Sequence, residues 1–148
     1  MKGRALKYLA AREHSRVELR RKLAPHAESA EQIEQVLDEL ESRQFLSAER
    51  FAQSVAHRRG GRYGVARVQA ELAQHQLPAD VLTDTLQTLR ETECTRAQAL
   101  WLKRFGQVAQ DPVERAKQMR FLLGRGFSSD VARSVLKGDW FDADSTED

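Results

Sequence analysis

The sequence predicts an all-α protein built from three tandem three-helix repeats. Three observations carry that prediction. Apolar residues recur at helical spacing along almost the whole 148-residue chain, and no period-2 run of β-branched residues marks a strand. Helix-start signals stand at regular places. Leucines fall into a long-range register: Leu23, Leu72 and Leu122 lie 49 and 50 residues apart.

The elements follow in order. Residues 3–12 form the first helix, and Ser15 with Glu18 has the spacing of a capping box that opens a second over 15–24. Pro25 falls just after its end. Ser29 with Gln32 opens 29–42, where Ile33, Val36, Leu37 and Leu40 make one apolar stripe. The second trio spans 47–59, 64–75 and 78–90, with Pro78 at a first helical position. The third spans 94–105, 111–124 and 128–137; Asp111 with Glu114 gives its middle helix a capping box, and Pro112 a first residue. In the leucine register Ile33, Leu82 and Ala132 align, as do Leu37, Leu86 and Leu136, while Leu40 and Leu89 meet Asp139 in the third copy. The repeats therefore run 1–46, 47–91 and 92–140, followed by an acidic tail, 141–148, expected to be disordered. A trio this short buries little surface alone, so neighbouring copies are expected to stack. Phe51, Phe105, Phe121 and Phe127 sit at core spacing. Trp101 is expected to pack between repeats, and Trp140 back onto the last helix.

Composition excludes several classes. With 41% hydrophobic and 31% charged residues, the chain can form a core but not a thick one. No apolar run approaches the roughly 18–20 residues of a membrane span. The N-terminal MKGRALKYLAAREH is broken by charge too often for a signal peptide. Cys94 is the only cysteine, which fits a reducing, cytoplasmic setting. His14, His26, His57 and His75 lack the spacing of a helical metal site, and no nucleophile pairs with a base. Asp38, Glu39 and Glu41 lie along a polar helix face. No cofactor, metal or catalytic residue is expected, and the chain does not read as an enzyme.

Charge follows the repeat. Segments 1–25, 26–50, 51–76, 77–100, 101–127 and 128–148 carry net charges of +6, −5, +3, −2, +4 and −4. The first two helices of each trio are basic and the third acidic. Arg12, Arg16, Arg20, Arg21 and Lys22, then Arg58, Arg59, Arg62 and Arg67, then Lys103, Arg104, Lys117, Arg120 and Arg125 supply a basic track. Such a track suits phosphate or an acidic protein partner; the plainer alternative is solubility and pairing with the acidic helices. At its centre HRRGGRYG, residues 57–64, holds three arginines and Tyr63. It lacks the preceding strand and Gly-Lys-Ser/Thr ending of a phosphate loop, and the many copies of an RGG tail. Gly64 falls eight residues before Leu72, as Ser15 falls eight before Leu23, so it is the expected N-cap of a helix, a position that tolerates glycine.

ALKYLAAREHSRVELRRKL (5–23), LSAERFAQSVAHRRGGRYGVARVQAEL (46–72) and RFLLGRGF (120–127) together resemble the RecX family, regulators of the RecA recombinase. The resemblance rests on Arg12, His14, Ser15, Glu18, Leu19, Lys22 and Leu23; on Arg50, Phe51, Ala52, Tyr63, Gly64, Arg67, Glu71 and Leu72; and on Arg125, Gly126 and Phe127. It implies three repeats in an elongated, curved rod that lodges in the groove of the RecA–DNA filament. It further implies restraint of ATP hydrolysis, strand exchange and co-protease activity in recombinational repair and the SOS response, with weaker direct binding to single- and double-stranded DNA. No membrane partner is implied, and a monomer is expected. The chain departs from the family's habit of glycine between second and third helices, with Pro25-His26-Ala27 and His75-Gln76-Leu77 in the first two copies. The alternative reading is a RecA-independent DNA-binding protein whose trios act like helix-turn-helix units.

Overall fold

The computed structural model describes residues 1–141; the expected acidic tail lies outside them, apart from Phe141. Among the described residues there are eight α-helices and no strand: α1 (Lys2–Ala11), α2 (Arg16–Leu23), α3 (Ala30–Ser42), α4 (Ala48–Gly60), α5 (Val65–Ala73), α6 (Ala79–Arg104), α7 (Pro112–Gly124) and α8 (Ser129–Lys137). The all-α prediction holds. Two of the expected helices, 78–90 and 94–105, are one continuous helix, α6. The joining residues Glu91-Thr92-Glu93-Cys94 contain no glycine or proline, so nothing locally breaks the hydrogen-bond ladder. The expected boundary after residue 91 therefore lies inside a helix.

The chain forms two compact units, Met1–Val55 with Glu71–Thr85, and Ala56–Ala70 with the chain from Leu86 onward. The first unit is cored by Ala5, Leu19, Leu23, Ile33, Leu37, Leu40 and Leu46, the apolar stripes of α1–α3 turned onto one another. Its caps follow the sequence closely. Ser15 Oγ accepts from the Glu18 amide at 3.1 Å and Glu18 Oε1 accepts from the Ser15 amide at 3.1 Å, a complete capping box. Ser29 Oγ accepts from the Gln32 amide at 3.1 Å, but Gln32 Oε1 takes the Glu28 amide instead of closing its box. The glycine-free turns differ from each other. Pro25 sits in a 3₁₀ turn, Ala24–His26, whereas Gln76 takes a left-handed φ of 50°.

Two histidines are built into this unit as neutral rings. His14 is 2% exposed; its Nδ1 faces the Arg12 carbonyl at 3.0 Å, and Lys22 Nζ donates to Nε2 at 2.9 Å. A carbonyl can only accept, so Nδ1 carries the proton and Nε2 is free to accept. Ser15 Oγ, already accepting from Glu18, donates its proton to His75 Nδ1 at 2.7 Å. Burial pushes both imidazoles below their ordinary pKa, and for His14 the nearby Arg12 and Lys22 add to the effect. A folded-state pKa below the unfolded value of about 6.5 means that the unfolded chain binds protons first on acidification. Stability is thus complete above about pH 6.5 and falls below it, by at most about 1.4 kcal/mol per pH unit for each histidine. Urea unfolding should show a lower midpoint at pH 5.5 than at pH 7.5, with part of the difference removed by His14→Gln. Equal midpoints for the parent chain would contradict this reading.

The second unit is cored by Ala97, Trp101, Leu122, Phe127, Ala132, Val135 and Leu136. Trp101 is fully buried there, and its Nε1 donates to Gln118 Oε1 at 2.9 Å. This corrects the expectation that it packs between repeats: its cluster among the described residues is drawn from the third trio and from Trp140 and Phe141 just after it. An indole N–H needs a buried acceptor, and Gln118 on α7 supplies one. Trp140 does fold back, donating to the Val135 carbonyl at 3.0 Å and meeting Trp101 edge-on at 5.6 Å.

Candidate functional site

In the first unit much of the expected basic track is paired with carboxylates of α3 at the surface. Arg16 reaches Asp38 at 2.8 Å, Glu41 at 3.0 Å and Glu34 at 3.3 Å, while Arg20 holds Glu34 in two hydrogen bonds of 2.9 and 2.8 Å. Bonds from Arg20, opposed by slight burial and helped by Arg16, hold the Glu34 carboxyl at about 2. Arg12 pairs with Glu18 at 2.7 Å. Burial pushes the Glu18 carboxyl up, but the Arg12 and Ser15 donors outweigh it and hold the group at about 2. The basic second helix and acidic third helix therefore neutralise each other here. Arg21 is exposed with no ion pair among the described residues, and Lys22 lies over the Tyr8 ring at 4.9 Å.

The second unit arranges its cations differently, around aromatic faces. Tyr63, in the α4–α5 turn, has the guanidinium of Arg67 over its ring at 4.1 Å, Arg125 at 5.6 Å and Arg59 at 5.9 Å. Arg125 also lies 5.2 Å from the Phe121 ring, with Arg104 at 5.5 Å from the same ring. Phe121 meets Phe105 edge-on at 5.3 Å. The result is a ladder of alternating rings and guanidinium groups drawn from α4 to α7. Phe105 and Phe121, expected as core residues, are only partly buried and form its platform. Arg62, Lys103, Lys117 and Arg120 are exposed beyond it, without ion pairs among the described residues. Arg58 is exposed on the last turn of α4.

Two residues that the sequence reading passed over fix the centre of this ladder. Arg96 on α6 donates from Nη1 to the carbonyls of Gly60 at 2.6 Å and Tyr63 at 2.7 Å, and from Nη2 to that of Leu89 at 2.8 Å. Glu93, one turn earlier and 7% exposed, accepts the Val65 amide at 2.7 Å, adding a carboxylate at the N-terminus of α5. Both sit in what the charge count treats as an acidic solvated helix, and only the buried position of Glu93 distinguishes them. The third support is backbone: the Gly64 amide donates to the Arg125 carbonyl at 2.8 Å, tying HRRGGRYG directly to the turn after α7.

A guanidinium stacked on a ring can still direct its edge donors elsewhere, as Arg67 Nη1 does toward the Gly124 carbonyl at 3.4 Å, so such a ladder groups several forked cations side by side. This suits phosphate or carboxylate recognition over a broad surface. Among the described residues no helix is long and apolar enough to cross a membrane.

Residues 2–40 match the family description "RecX, first three-helix domain", and 91–136 match "RecX, third three-helix domain". A "Regulatory protein RecX" from Leptothrix cholodnii is 60% identical over 137 residues, 93% of this chain and 87% of that protein. The chain belongs to the RecX family. A second RecX, from Ralstonia pickettii, is 54% identical over 93% of this chain and 87% of its own length. The crystal structure of RecX from Lactobacillus salivarius shares the fold, with a TM-score of 0.76 over 92% of each chain at 18% identity. The segment that matches the third domain contains Arg104, Phe105, Phe121 and Arg125, while the HRRGGRYG turn lies between the two matched segments.

Proposed function

We propose that this RecX-family chain regulates the RecA recombinase, mainly as an inhibitor, by binding in the groove of the RecA–DNA filament in the cytoplasm. Bound there, it restrains ATP hydrolysis, strand exchange and co-protease activity, and so tempers recombinational repair and the SOS response. Family membership supports the RecA partner. The observation that carries the contact assignment is the convergence of Arg59, Arg67 and Arg125 on Tyr63. Three tandem repeats, 1–46, 47–91 and 92–140, would supply several weak contacts at high effective concentration, which is how a broad surface can bind a filament tightly.

The test reverses charge at Arg62, Arg67 and Arg125 together and measures RecA-catalysed ATP hydrolysis on single-stranded DNA. Half-inhibition is expected to need about tenfold more of the variant, equivalent to ~1.4 kcal/mol of binding. Undiminished inhibition by a folded variant would remove the ladder from the mechanism. Binding to DNA alone across a salt series separates the RecA-independent reading. That reading expects tight binding with a steep negative slope of log K against log salt; the filament reading expects modest DNA affinity and strong retention on RecA.

A further inference from the structure

The first unit contains a hollow that filament binding through the ladder leaves unused. Its volume is about 330 Å³, and it is lined by Arg4, Lys7, Tyr8, Ala11, Arg12, His14 and Lys22. Arg4, Lys7, Tyr8 and Ala11 follow i, i+3, i+4, i+7 and so share one face of α1. Four of the lining residues are cations and none is a carboxylate. Arg12 is committed to Glu18. Arg4 and Lys7 are exposed and make no ion pair among the described residues. Lys22 spends one donor on the neutral ring of His14 and sits over Tyr8, so two of its three N–H groups remain available. Three positive charges therefore converge without compensation on a floor made of an aromatic ring and a methyl group.

That combination specifies a ligand. A small apolar body suits the Ala11 methyl and the part of Tyr8 that Lys22 does not cover, and an anion suits the rim. Three uncompensated cations match a doubly charged phosphate monoester better than the single charge of an internal phosphodiester. The volume lies at the lower end of the range for small-molecule sites, which fits one nucleotide and not a run of them. We propose that the hollow binds a terminal nucleotide phosphate, carried either by a free nucleotide or by the 5′ end of a nucleic-acid strand. The proposal goes beyond the RecA reading and does not depend on it.

The experiment uses the whole chain without RecA. Fluorescence anisotropy compares 3′-labelled oligothymidylate bearing a 5′-phosphate with the same strand ending in a 5′-hydroxyl. A preference of about tenfold for the phosphorylated end is expected. It should vanish in Arg4→Gln/Lys7→Gln, whose two exposed positions leave the thermal midpoint unchanged; Lys22→Gln should also lose it. General attraction to the DNA backbone weakens equally for both strands, so only the ratio reports on the site. Thymidine monophosphate that abolishes the preference at submillimolar concentration supports the site with a free nucleotide as its ligand. The preference surviving such competition supports it with a strand end. Equal affinity for the two strands, or a preference retained in the folded double variant, overturns the proposal.

Discussion

Gly64→Ala is expected to destabilise the protein by roughly 3 kcal/mol, the upper end of what a single added methyl group costs. A Cβ at this position would lie well under 3.0 Å from the carbonyl carbon and oxygen of Gly126 and from the Phe127 nitrogen. The obstacle is main chain, which cannot rotate aside as a flexible side chain can. Relief requires the start of α5 to separate from residues 125–127, and that separation also stretches the 2.8 Å bond from the Gly64 amide to the Arg125 carbonyl. Gly126 reinforces the constraint from its own side. Its φ is 90°, and a Cβ there would lie 2.7 Å from Arg67 Cβ and 2.9 Å from the Arg67 nitrogen. Gly61, three residues earlier, has nothing within 4 Å of an added Cβ, so Gly61→Ala should stay within about 0.5 kcal/mol of the parent. Urea unfolding of the two variants makes the comparison. A Gly64→Ala protein within 1 kcal/mol of Gly61→Ala would show that the two turns are not in close register.

The contrast between these glycines shows what a single sequence can reveal and what it cannot. Local signals were legible: the Ser15–Glu18 box, the Asp111 cap, Pro112 as a first helical residue and the α3 stripe all depend on neighbours within a turn or so. Gly64 also precedes α5, as its place eight residues before Leu72 predicts. Its tight approach to Gly126 joins segments 62 residues apart, and no spacing rule encodes that. The same limit explains the charges. A count of Lys and Arg finds Arg16 and Arg20 but not that α3 faces them with Glu34, Asp38 and Glu41, so an uncompensated track and a surface ion-pair network look alike. The continuity of α6 escaped for a different reason: repeat logic placed a boundary where the local chemistry has no breaker. Phe105 and Phe121 were legible as apolar residues, but their second role needs Arg104 and Arg125 beside them in space.

Arg96→Leu tests whether the ladder must be held in place as well as charged. The Arg96 guanidinium donates to three backbone carbonyls and its Nε to Thr92 Oγ1 at 3.0 Å. One carbonyl belongs to Gly60, the last residue of α4, where the helix leaves acceptors without intrahelical partners and favours a cation. Burial pushes the Arg96 pKa down, with Glu93 opposing, so the group sits where losing its bonds is costly. Leucine restores apolar volume but removes the donor to the Gly60 and Tyr63 carbonyls, while the Leu89 carbonyl inside α6 still accepts from Thr92 Oγ1 at 3.3 Å, and a loss of roughly 2–4 kcal/mol is expected. Arg96→Lys keeps the charge yet cannot fork across three carbonyls, so it should recover only part of that loss. If Arg96 is a positioning residue for Tyr63, inhibition of RecA should weaken about tenfold at a temperature where the leucine variant remains folded, and lysine should restore part of it. A purely structural role predicts a lower unfolding midpoint with inhibition unchanged below it. That second pattern would mean that the arginines around Tyr63 act through their charge alone, and that the geometry of HRRGGRYG is a consequence of folding with no part in recognition.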